Sequence, residues 1–439
     1  MKNTEKDRLN NQTEKRYLWR RFGNGFREIF KNSIKLVILI AFNVLMLWLH
    51  IKYCDMLRFD EVKYVSPIFM LMIRYVIPIL MIGGTVFLLI LFGTPMGSAK
   101  FSDEFARIGF INHAGEVPIL IARQKDKTNS EISICEFDGM GIPLADWESK
   151  RQSLEAALNI HIVRLTEGRD KRNILFHAVP ATNQLSDCIE WKDNYLVQDS
   201  SSLIFGKSIT GANVKVNLSK IPHILLGGST GSGKSVLLKL LLMQALRKNC
   251  IVSIADFKGG VDYPKVWHDK CRICFDEDTL LLLLTELVDE LEWRKTVFRE
   301  TRCANLDMYN QQTGNTLQRH IFACDEVAEI LDKTGLTKEQ KEKVIQIENK
   351  LSIIARQGRA FGIHLILATQ RPDATIIPGQ IRSNLDCRVC GRADNVLSQI
   401  ILDSTAAADQ IPKDAAGRFM LHDGTVFQAY WFDDAKLGG

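Results

Sequence analysis

The chain has 439 residues, of which 46% are hydrophobic and 24% charged. This composition excludes wholesale disorder, and the length predicts two or three domains rather than one. The net charge is +5, and residues 1–35 alone contribute +6, with ten Lys or Arg against four Asp or Glu. The remaining residues therefore sum to −1, which excludes a broadly basic surface. Any nucleic acid would have to contact a local patch or a pore formed on assembly.

Two apolar runs near the N-terminus, at 34–51 and 75–93, predict transmembrane helices, because each approaches the ~20 residues that span a bilayer. Basic residues dominate before the first run, whereas bases and acids balance in the loop between the runs. The positive-inside rule therefore predicts a cytoplasmic basic N-terminal segment (1–33), a short external loop (52–74) and a cytoplasmic C-terminal remainder. Aromatic residues interleave with the charges of the basic segment, which predicts contact with the headgroups of the cell membrane.

Residues 100–200 predict a small α+β module next to the membrane. Short apolar runs at 117–122 and 132–137 indicate strands, and residues 146–158 have the pattern of a helix. No motif that carries chemistry falls in this module, so no reaction is assigned to it.

Residues 201–439 alternate strand and helix patterns, which predicts an α/β domain with a mostly parallel sheet. In such sheets, ligands bind beyond the carboxyl ends of the strands. The predicted strands cover 224–226, 251–256, 271–275, 320–324, 364–368 and 387–390, and the predicted helices cover 235–248, 279–300 and 339–356.

Residues 228–235 (GSTGSGKS), called here the phosphate loop, match the pattern G-x-x-x-x-G-K-[ST]. An apolar strand precedes the loop and a helix follows it, so backbone N–H groups and the helix N-terminus would surround a phosphate. The pattern predicts ATP and Mg²⁺ as ligands, with Lys234 at the β- and γ-phosphates and Ser235 at the metal. The predicted nucleotide-binding residues are Gly228, Ser229, Thr230, Gly231, Ser232, Gly233, Lys234 and Ser235.

Two further strands end in polar residues suited to ATP hydrolysis. The strand at 320–324 is followed by Asp325, expected to orient Mg²⁺ and its waters, and by Glu326, expected to activate the attacking water. Gln370 closes another strand, where its amide could bond both the γ-phosphate and a neighbouring loop. The alternative for Gln370 is a polar residue that merely ends the strand.

Arginines are frequent in the last third of the chain. For each, contact with a neighbouring subunit's ATP, contact with DNA phosphates and an ordinary surface role all stay open. They are Arg356, Arg359, Arg371, Arg382, Arg388 and Arg392.

A family resemblance is carried by five segments of the chain, 203–211, 221–236, 325–329, 358–372 and 401–403. Through these segments, residues 200–425 resemble the motor core of the FtsK/SpoIIIE DNA translocases. The resemblance implies a RecA-like P-loop NTPase domain that forms a homo-hexameric ring and moves double-stranded DNA by ATP hydrolysis. It also implies that Arg359, within GRAFGIH, reaches the ATP of the neighbouring subunit. The residues that take catalytic roles by this resemblance are Lys234, Asp325, Glu326, Gln370 and Arg359.

The predicted architecture departs from the chromosome translocases of that family, which have more membrane spans, a long linker and a winged-helix module. Two spans followed by one motor instead resemble the FtsK-type coupling proteins of Gram-positive conjugative transposons. That resemblance implies DNA, the cell membrane, a relaxase and conjugation-channel proteins as partners. Two alternatives remain: a chromosome-segregation or sporulation DNA translocase, and the ATPase of a specialised protein-secretion system.

Overall fold

The computed structural model describes residues 3–56, 67–370 and 377–437. By its internal contacts the chain divides into two compact units, Met1–Thr182 and Asn183–Gly439. The boundary predicted at residue 200 therefore moves to 182, because residues 183–200 pack with the second unit.

The first unit combines long N-terminal helices with a small module of strands and short helices. Its helices are α1 (Asn3–Lys31), α2 (Ser33–Met56), α3 (Pro67–Phe92), α4 (Ser98–Arg107), α5 (Leu144–Ser149) and α6 (Arg151–Leu158). Its strands are β1 (Ile119–Lys125), β2 (Ser133–Asp138), β3 (Ile160–Glu167) and β4 (Asn173–Pro180).

Two of these helices, α2 and α3, contain stretches long and apolar enough to cross a membrane, Ser33–Tyr53 and Tyr75–Phe92. Almost none of their side chains is buried within the protein, as expected for helices that face lipid. They coincide with the predicted spans and support membrane anchoring. The loop predicted over 52–74 is partly helical, since α2 continues to Met56 and α3 begins at Pro67, and residues 57–66 lie outside the described residues.

The basic helix α1 packs against α3 at a close glycine contact. A Cβ added at Gly25 would lie only 1.8 Å from the carbonyl oxygen of Leu89, so the two backbones touch there. Nearer the start of α1, Arg20 pairs with the buried Asp138 at 3.2 Å, and the Tyr17 hydroxyl donates to the Leu120 carbonyl. At least one face of the basic segment therefore contacts protein rather than lipid headgroups.

The small module confirms the predicted α+β fold. Its antiparallel sheet has the order β1-β2-β4-β3. Alternate residues of the strands point into an aromatic core, in which Trp147 meets Phe105 and Phe176 edge to face with ring centroids 5.7 and 5.2 Å apart.

The second unit contains one large mixed sheet covered by helices. Its strands are β5 (Ile189–Glu190), β6 (Ser202–Ser208), β7 (Asn213–Asn217), β8 (Ile224–Gly227), β9 (Ile251–Ala255), β10 (Arg272–Cys274), β11 (His320–Cys324), β12 (Ile363–Thr369), β13 (Cys387–Cys390), β14 (Arg418–Leu421) and β15 (Val426–Trp431). Its helices are α7 (Lys234–Arg247), α8 (Lys265–His268), α9 (Glu277–Glu300), α10 (Leu306–Thr313), α11 (Val327–Leu331), α12 (Lys338–Phe361), α13 (Gly379–Arg382), α14 (Asn395–Leu402) and α15 (Ala406–Gln410).

The sheet order is β10-β9-β11-β12-β8-β13-β14-β15-β6-β7, with β5 paired to β15. The block from β10 to β13 is parallel, and the strands that follow β13 in this order pair antiparallel. This architecture confirms the predicted α/β fold with its mostly parallel sheet. The antiparallel extension was not predicted.

Both faces of the parallel block are buried, which explains why its strands are almost continuously apolar. Along β8, Ile224 and Leu226 pack on the face covered by α7, while Leu225 points to the opposite face. That opposite face is covered by α9 and α12 through Leu284 and Ile354. The carboxyl ends of β8, β9, β11, β12 and β13 are thereby held at one edge of a rigid sheet.

Candidate nucleotide-binding site

The phosphate loop lies between the end of β8 and the start of α7, as its pattern requires. Gly231 and Gly233 have φ of 75° and 93°, in the left-handed region that glycine adopts without strain. A Cβ at Gly233 would lie 3.0 Å from the backbone nitrogen of Gly417. The glycines therefore serve both the turn itself and the close approach of a neighbouring segment.

Two neighbouring segments hold the phosphate loop from outside. The Ser229 N–H donates to the Arg392 carbonyl at 2.8 Å, and the Gly417 N–H donates to the Ser232 carbonyl at 2.8 Å. The Arg392 guanidinium in turn donates to the carbonyls of Thr230 at 2.6 Å and Lys413 at 2.7 Å. Arg392 thus clamps the first half of the loop.

The sequence alone leaves Arg392 in the group of arginines without an assigned role. The signal that could have found it is its position directly after β13, a strand that pairs with β8 in parallel. Residues that follow neighbouring parallel strands meet at one sheet edge. Of the same group, Arg388 pairs with Asp403, and Arg371 lies outside the described residues.

Lys234 and Ser235 converge on Asp325 beyond the end of β11. The Lys234 ammonium lies 2.8 Å from Asp325 Oδ1, and the Ser235 hydroxyl donates to both carboxylate oxygens at 3.0 and 3.1 Å. Lys234 and Asp325 are each about 3% exposed. Burial alone would raise the pKa of Asp325, but the nearby ammonium groups, Lys234 first, outweigh it and hold the pKa below its ordinary value. The carboxylate is therefore charged and ready to face a cation.

Glu326 lies beside Asp325 and is held by the end of β12. Its carboxylate accepts from the Thr369 hydroxyl at 2.8 Å and from the Gln370 N–H at 2.9 Å. The Gln370 side chain reaches across to the phosphate loop, where its Oε1 accepts from the Thr230 hydroxyl at 2.9 Å. The sheet edge therefore brings together the phosphate loop, Asp325, Glu326 and Gln370.

Arg359 does not join this cluster within one chain. It lies near the end of α12, just before β12 begins at Ile363, and so at the amino ends of the parallel strands. Its Nε donates to the Ser219 carbonyl at 3.1 Å. The phosphate loop follows the carboxyl end of β8, which pairs with β12 in parallel, so Arg359 and the loop lie at opposite edges of the sheet.

The site has the hydrogen-bond donors that phosphate oxygens need and the oxygen ligands that Mg²⁺ needs. The Ser232 hydroxyl oxygen is buried in the loop and has no hydrogen-bond partner within the described ranges, which leaves it available to a ligand. Positive φ at Gly231 and Gly233 turns the chain into α7. The first N–H groups of a helix have no partner within the helix and favour an anion there. The hydroxyl of Ser235 and the carboxylate of Asp325 are hard oxygen ligands of the kind that Mg²⁺ prefers.

Comparisons with known proteins agree with this geometry. Residues 184–347 match the FtsK/SpoIIIE family. The chain is 33% identical over 232 residues to the DNA translocase FtsK of Helicobacter pylori strain J99, which covers 49% of this chain and 26% of that protein. It is 30% identical over 220 residues to the DNA translocase SftA of Bacillus subtilis, which covers 47% of this chain and 22% of that protein. The matched region is thus a minor part of these relatives' length.

A solved structure extends the likeness to most of the chain. It is the structure of the pCW3 conjugation coupling protein TcpA in a monomer form with ATPγS, 36% identical to this chain. The likeness covers 77% of this chain and 96% of that one, with a TM-score of 0.57. With the phosphate loop and the strand-end acids in their expected places, the chain belongs to the FtsK/SpoIIIE family.

Proposed function

We propose that this chain is a membrane-anchored, ATP-driven DNA translocase that acts as the coupling protein of a conjugation system. The observation that carries the proposal is the 36% identity to the conjugation coupling protein TcpA over 96% of that chain. The FtsK and SftA relatives are both DNA translocases, which supports DNA as the substrate.

ATP is the proposed substrate of the phosphate loop, and Mg²⁺ is its proposed metal. Lys234 binds the β- and γ-phosphates, and Ser235 and Asp325 hold the metal, which neutralises phosphate charge when bound. In the structure Lys234 and Ser235 both contact Asp325. Nucleotide binding therefore requires the Lys234 ammonium to exchange a carboxylate for phosphate oxygens.

Glu326 is the proposed general base for the attacking water. Its two hydrogen bonds, from Thr369 and Gln370, fix the carboxylate at the sheet edge next to Asp325. Gln370 also contacts Thr230 in the phosphate loop. A change at the γ-phosphate can therefore move the loop, the amide and the base together, which is how hydrolysis would be coupled to motion.

A ring of subunits is the proposed active form, with Arg359 completing the neighbour's site. Arg359 is exposed and lies at the sheet edge opposite its own phosphate loop. It could stabilise transferred phosphate charge only in another subunit, as an arginine finger acting in trans does. The hexameric state of the ring follows the family resemblance.

A conjugative role is favoured over the two alternatives by the coverage of the TcpA match. In that role the chain would bind DNA with its attached relaxase and deliver both to conjugation-channel proteins. A chromosome-segregation translocase would share the DNA-dependent motor but not the relaxase. A protein-secretion ATPase would share the phosphate loop but not the response to DNA.

We further place the N-terminus and everything after α3 in the cytoplasm. The support is the net charge of +6 on residues 1–35, because basic residues are retained on the cytoplasmic side. A single cysteine introduced as D60C in a background without other cysteines should react with a membrane-impermeant maleimide added to intact cells. Labelling only after cell lysis would indicate the opposite orientation, with residue 60 in the cytoplasm.

The experiment that tests the motor measures ATP turnover by the full chain in detergent, alone and with linear double-stranded or single-stranded DNA. We expect DNA to stimulate turnover in the wild type and K234A to abolish turnover. The matched control K215A changes an exposed lysine on β7 and should behave as wild type. Turnover that no DNA stimulates would reject the translocase and favour protein export.

The conjugative role needs its own test in cells. The gene is deleted from its host element, and DNA transfer to a recipient is measured after complementation with the wild type or K234A. We expect transfer only with the wild type. Normal transfer without the gene, together with a chromosome-partition defect, would instead identify a segregation translocase.

A further inference from the structure

A second lysine, Lys258, reaches the carboxylate at the centre of the site. Its Nζ lies 3.3 Å from Asp325 Oδ2, on the oxygen that Lys234 does not contact. The Lys258 side chain is 33% exposed and that of Asp325 is 3% exposed. Within the part of the chain that the structure describes, the Asp325 carboxylate thus contacts two ammonium groups, those of Lys234 and Lys258.

The fold fixes the position of Lys258. Strands β9 and β11 pair in parallel with Ala255 opposite Cys324, so the residues after these two strands run side by side. Asp256, next after Ala255, is buried and accepts the backbone N–H of Lys258 at 3.0 Å. The main chain of Lys258 is thus tied down beside Asp325, and its ammonium meets the carboxylate from the side of β9.

The ion pair with Asp325 stabilises the charged form of Lys258. Partial burial alone would lower the pKa of Lys258, but the Asp325 carboxylate outweighs that effect and raises the pKa above its ordinary value. The geometry thus places the Lys258 ammonium 3.3 Å from the carboxylate that is proposed to face Mg²⁺.

We propose that Lys258 is a positioning residue of the nucleotide site, which holds Asp325 when Lys234 turns to the phosphates and competes with Mg²⁺ for that carboxylate. The inference rests on the proposed ATP site. A buried carboxylate that loses its only ammonium is strongly disfavoured. With Lys258 present, Asp325 keeps one cation at every stage, so Lys234 is released more easily.

This role has opposite consequences in the absence and presence of Mg²⁺. In K258M, Lys234 supplies the one ammonium left on Asp325 among the described residues. Nucleotide binding without metal must then break that pair and should weaken about five- to tenfold. With Mg²⁺ bound, Asp325 would face the metal charge instead of an ammonium, and K258M removes an ammonium that competes for this carboxylate. Binding should then weaken less than about twofold, so the gain in affinity on adding Mg²⁺ increases in K258M.

The experiment measures equilibrium binding of a fluorescent ATP analogue to the full chain in detergent, in EDTA and in saturating Mg²⁺. K258M and K258Q remove the charge, and K258R keeps it. K265M is the matched control, because Lys265 is an exposed lysine at the start of α8. We expect the affinity gain from Mg²⁺ to rise at least about threefold in K258M and K258Q, and to stay at the wild-type value in K258R and K265M.

An unchanged Mg²⁺ gain in both neutral variants would overturn the inference and leave the proposed function standing. An equal loss of binding in EDTA and Mg²⁺ that K258R fails to restore would also overturn it, since that result indicates a purely structural lysine. A wild-type chain that binds the analogue in neither buffer would reject the proposed function and this inference together.

Discussion

Replacement of Glu326 by Gln should separate ATP binding from ATP hydrolysis. Glu326 is 7% exposed, and its oxygens accept from Thr369 Oγ1 at 2.8 Å and from the Gln370 N–H at 2.9 Å. A Gln side chain can reproduce this arrangement, because its Oε1 accepts from the Gln370 N–H and its Nε2 donates to the Thr369 hydroxyl, which is also an acceptor.

The expected cost to folding is therefore small, and the expected cost to catalysis is large. Two charge-assisted hydrogen bonds become neutral ones, at roughly 1 kcal/mol each, and the burial of a carboxylate charge is relieved in exchange. An amide cannot accept the proton of the attacking water, and loss of a general base slows hydrolysis by about 10²- to 10⁴-fold. Nucleotide affinity should stay within about threefold, because the hydrogen bonds that the structure shows for the Glu326 carboxylate go to Thr369 and Gln370 and not to the phosphate loop.

The assay compares steady-state ATP turnover and equilibrium nucleotide binding of E326Q with those of the wild type, in the full chain. E342Q is the matched control, since Glu342 is an exposed glutamate on α12. Turnover of E326Q within about threefold of the wild type would refute Glu326 as the base. Loss of binding in proportion to turnover would instead assign Glu326 to the structure of the loop.

Two other variants test contacts that the structure revealed. R392Q removes the hydrogen-bond donors to the carbonyls of Thr230 and Lys413. One hydrogen bond from a charged group contributes about 1.5 kcal/mol, so KM for ATP should rise about tenfold while kcat changes less. An unchanged KM would show that Arg392 is not needed to hold the phosphate loop. G25A should lower the unfolding free energy of the detergent-solubilised chain by about 1–3 kcal/mol, because a Cβ there meets a backbone oxygen of α3 at 1.8 Å. G23A is its control, since a Cβ at Gly23 has nothing within 4 Å. Equal unfolding free energies of G25A and G23A would disprove the α1–α3 contact.

The parallel part of the motor could be predicted because each of its signals is local. The strands around Ile224, Ile321 and Ile366 are apolar on both faces, which only a sheet covered on both sides explains. The phosphate loop carries its own turn chemistry in Gly231 and Gly233. The meeting of Asp325 and Glu326 with the phosphate loop could then be predicted, because parallel strands present their carboxyl ends to one edge of the sheet.

The antiparallel extension was missed although part of its signal is local too. Strands β14 and β15 are joined by a tight turn containing Asp423 and Gly424, where Gly424 has φ of 84°. An Asp-Gly pair between two apolar runs is a hairpin signal. The pairing of β14 with β13, however, depends on a contact between residues far apart in sequence, and no pattern within either strand specifies it.

The same distinction explains which site residues escaped prediction. Arg392 and Lys258 carry no motif, and each becomes informative only when the sheet order places the residues after β13 and β9 beside those after β8 and β11. Arg359 shows the converse, because its motif is recognisable but its proposed target lies in a neighbouring subunit. The structure of a single chain locates Arg359 at the sheet edge opposite its own phosphate loop. The ring that would bring it to an ATP must be tested by mixing R359A and K234A chains, each of which we expect to be inactive alone. Recovered turnover requires a site built from two subunits, and no recovery in mixed rings would contradict the role of Arg359 in trans.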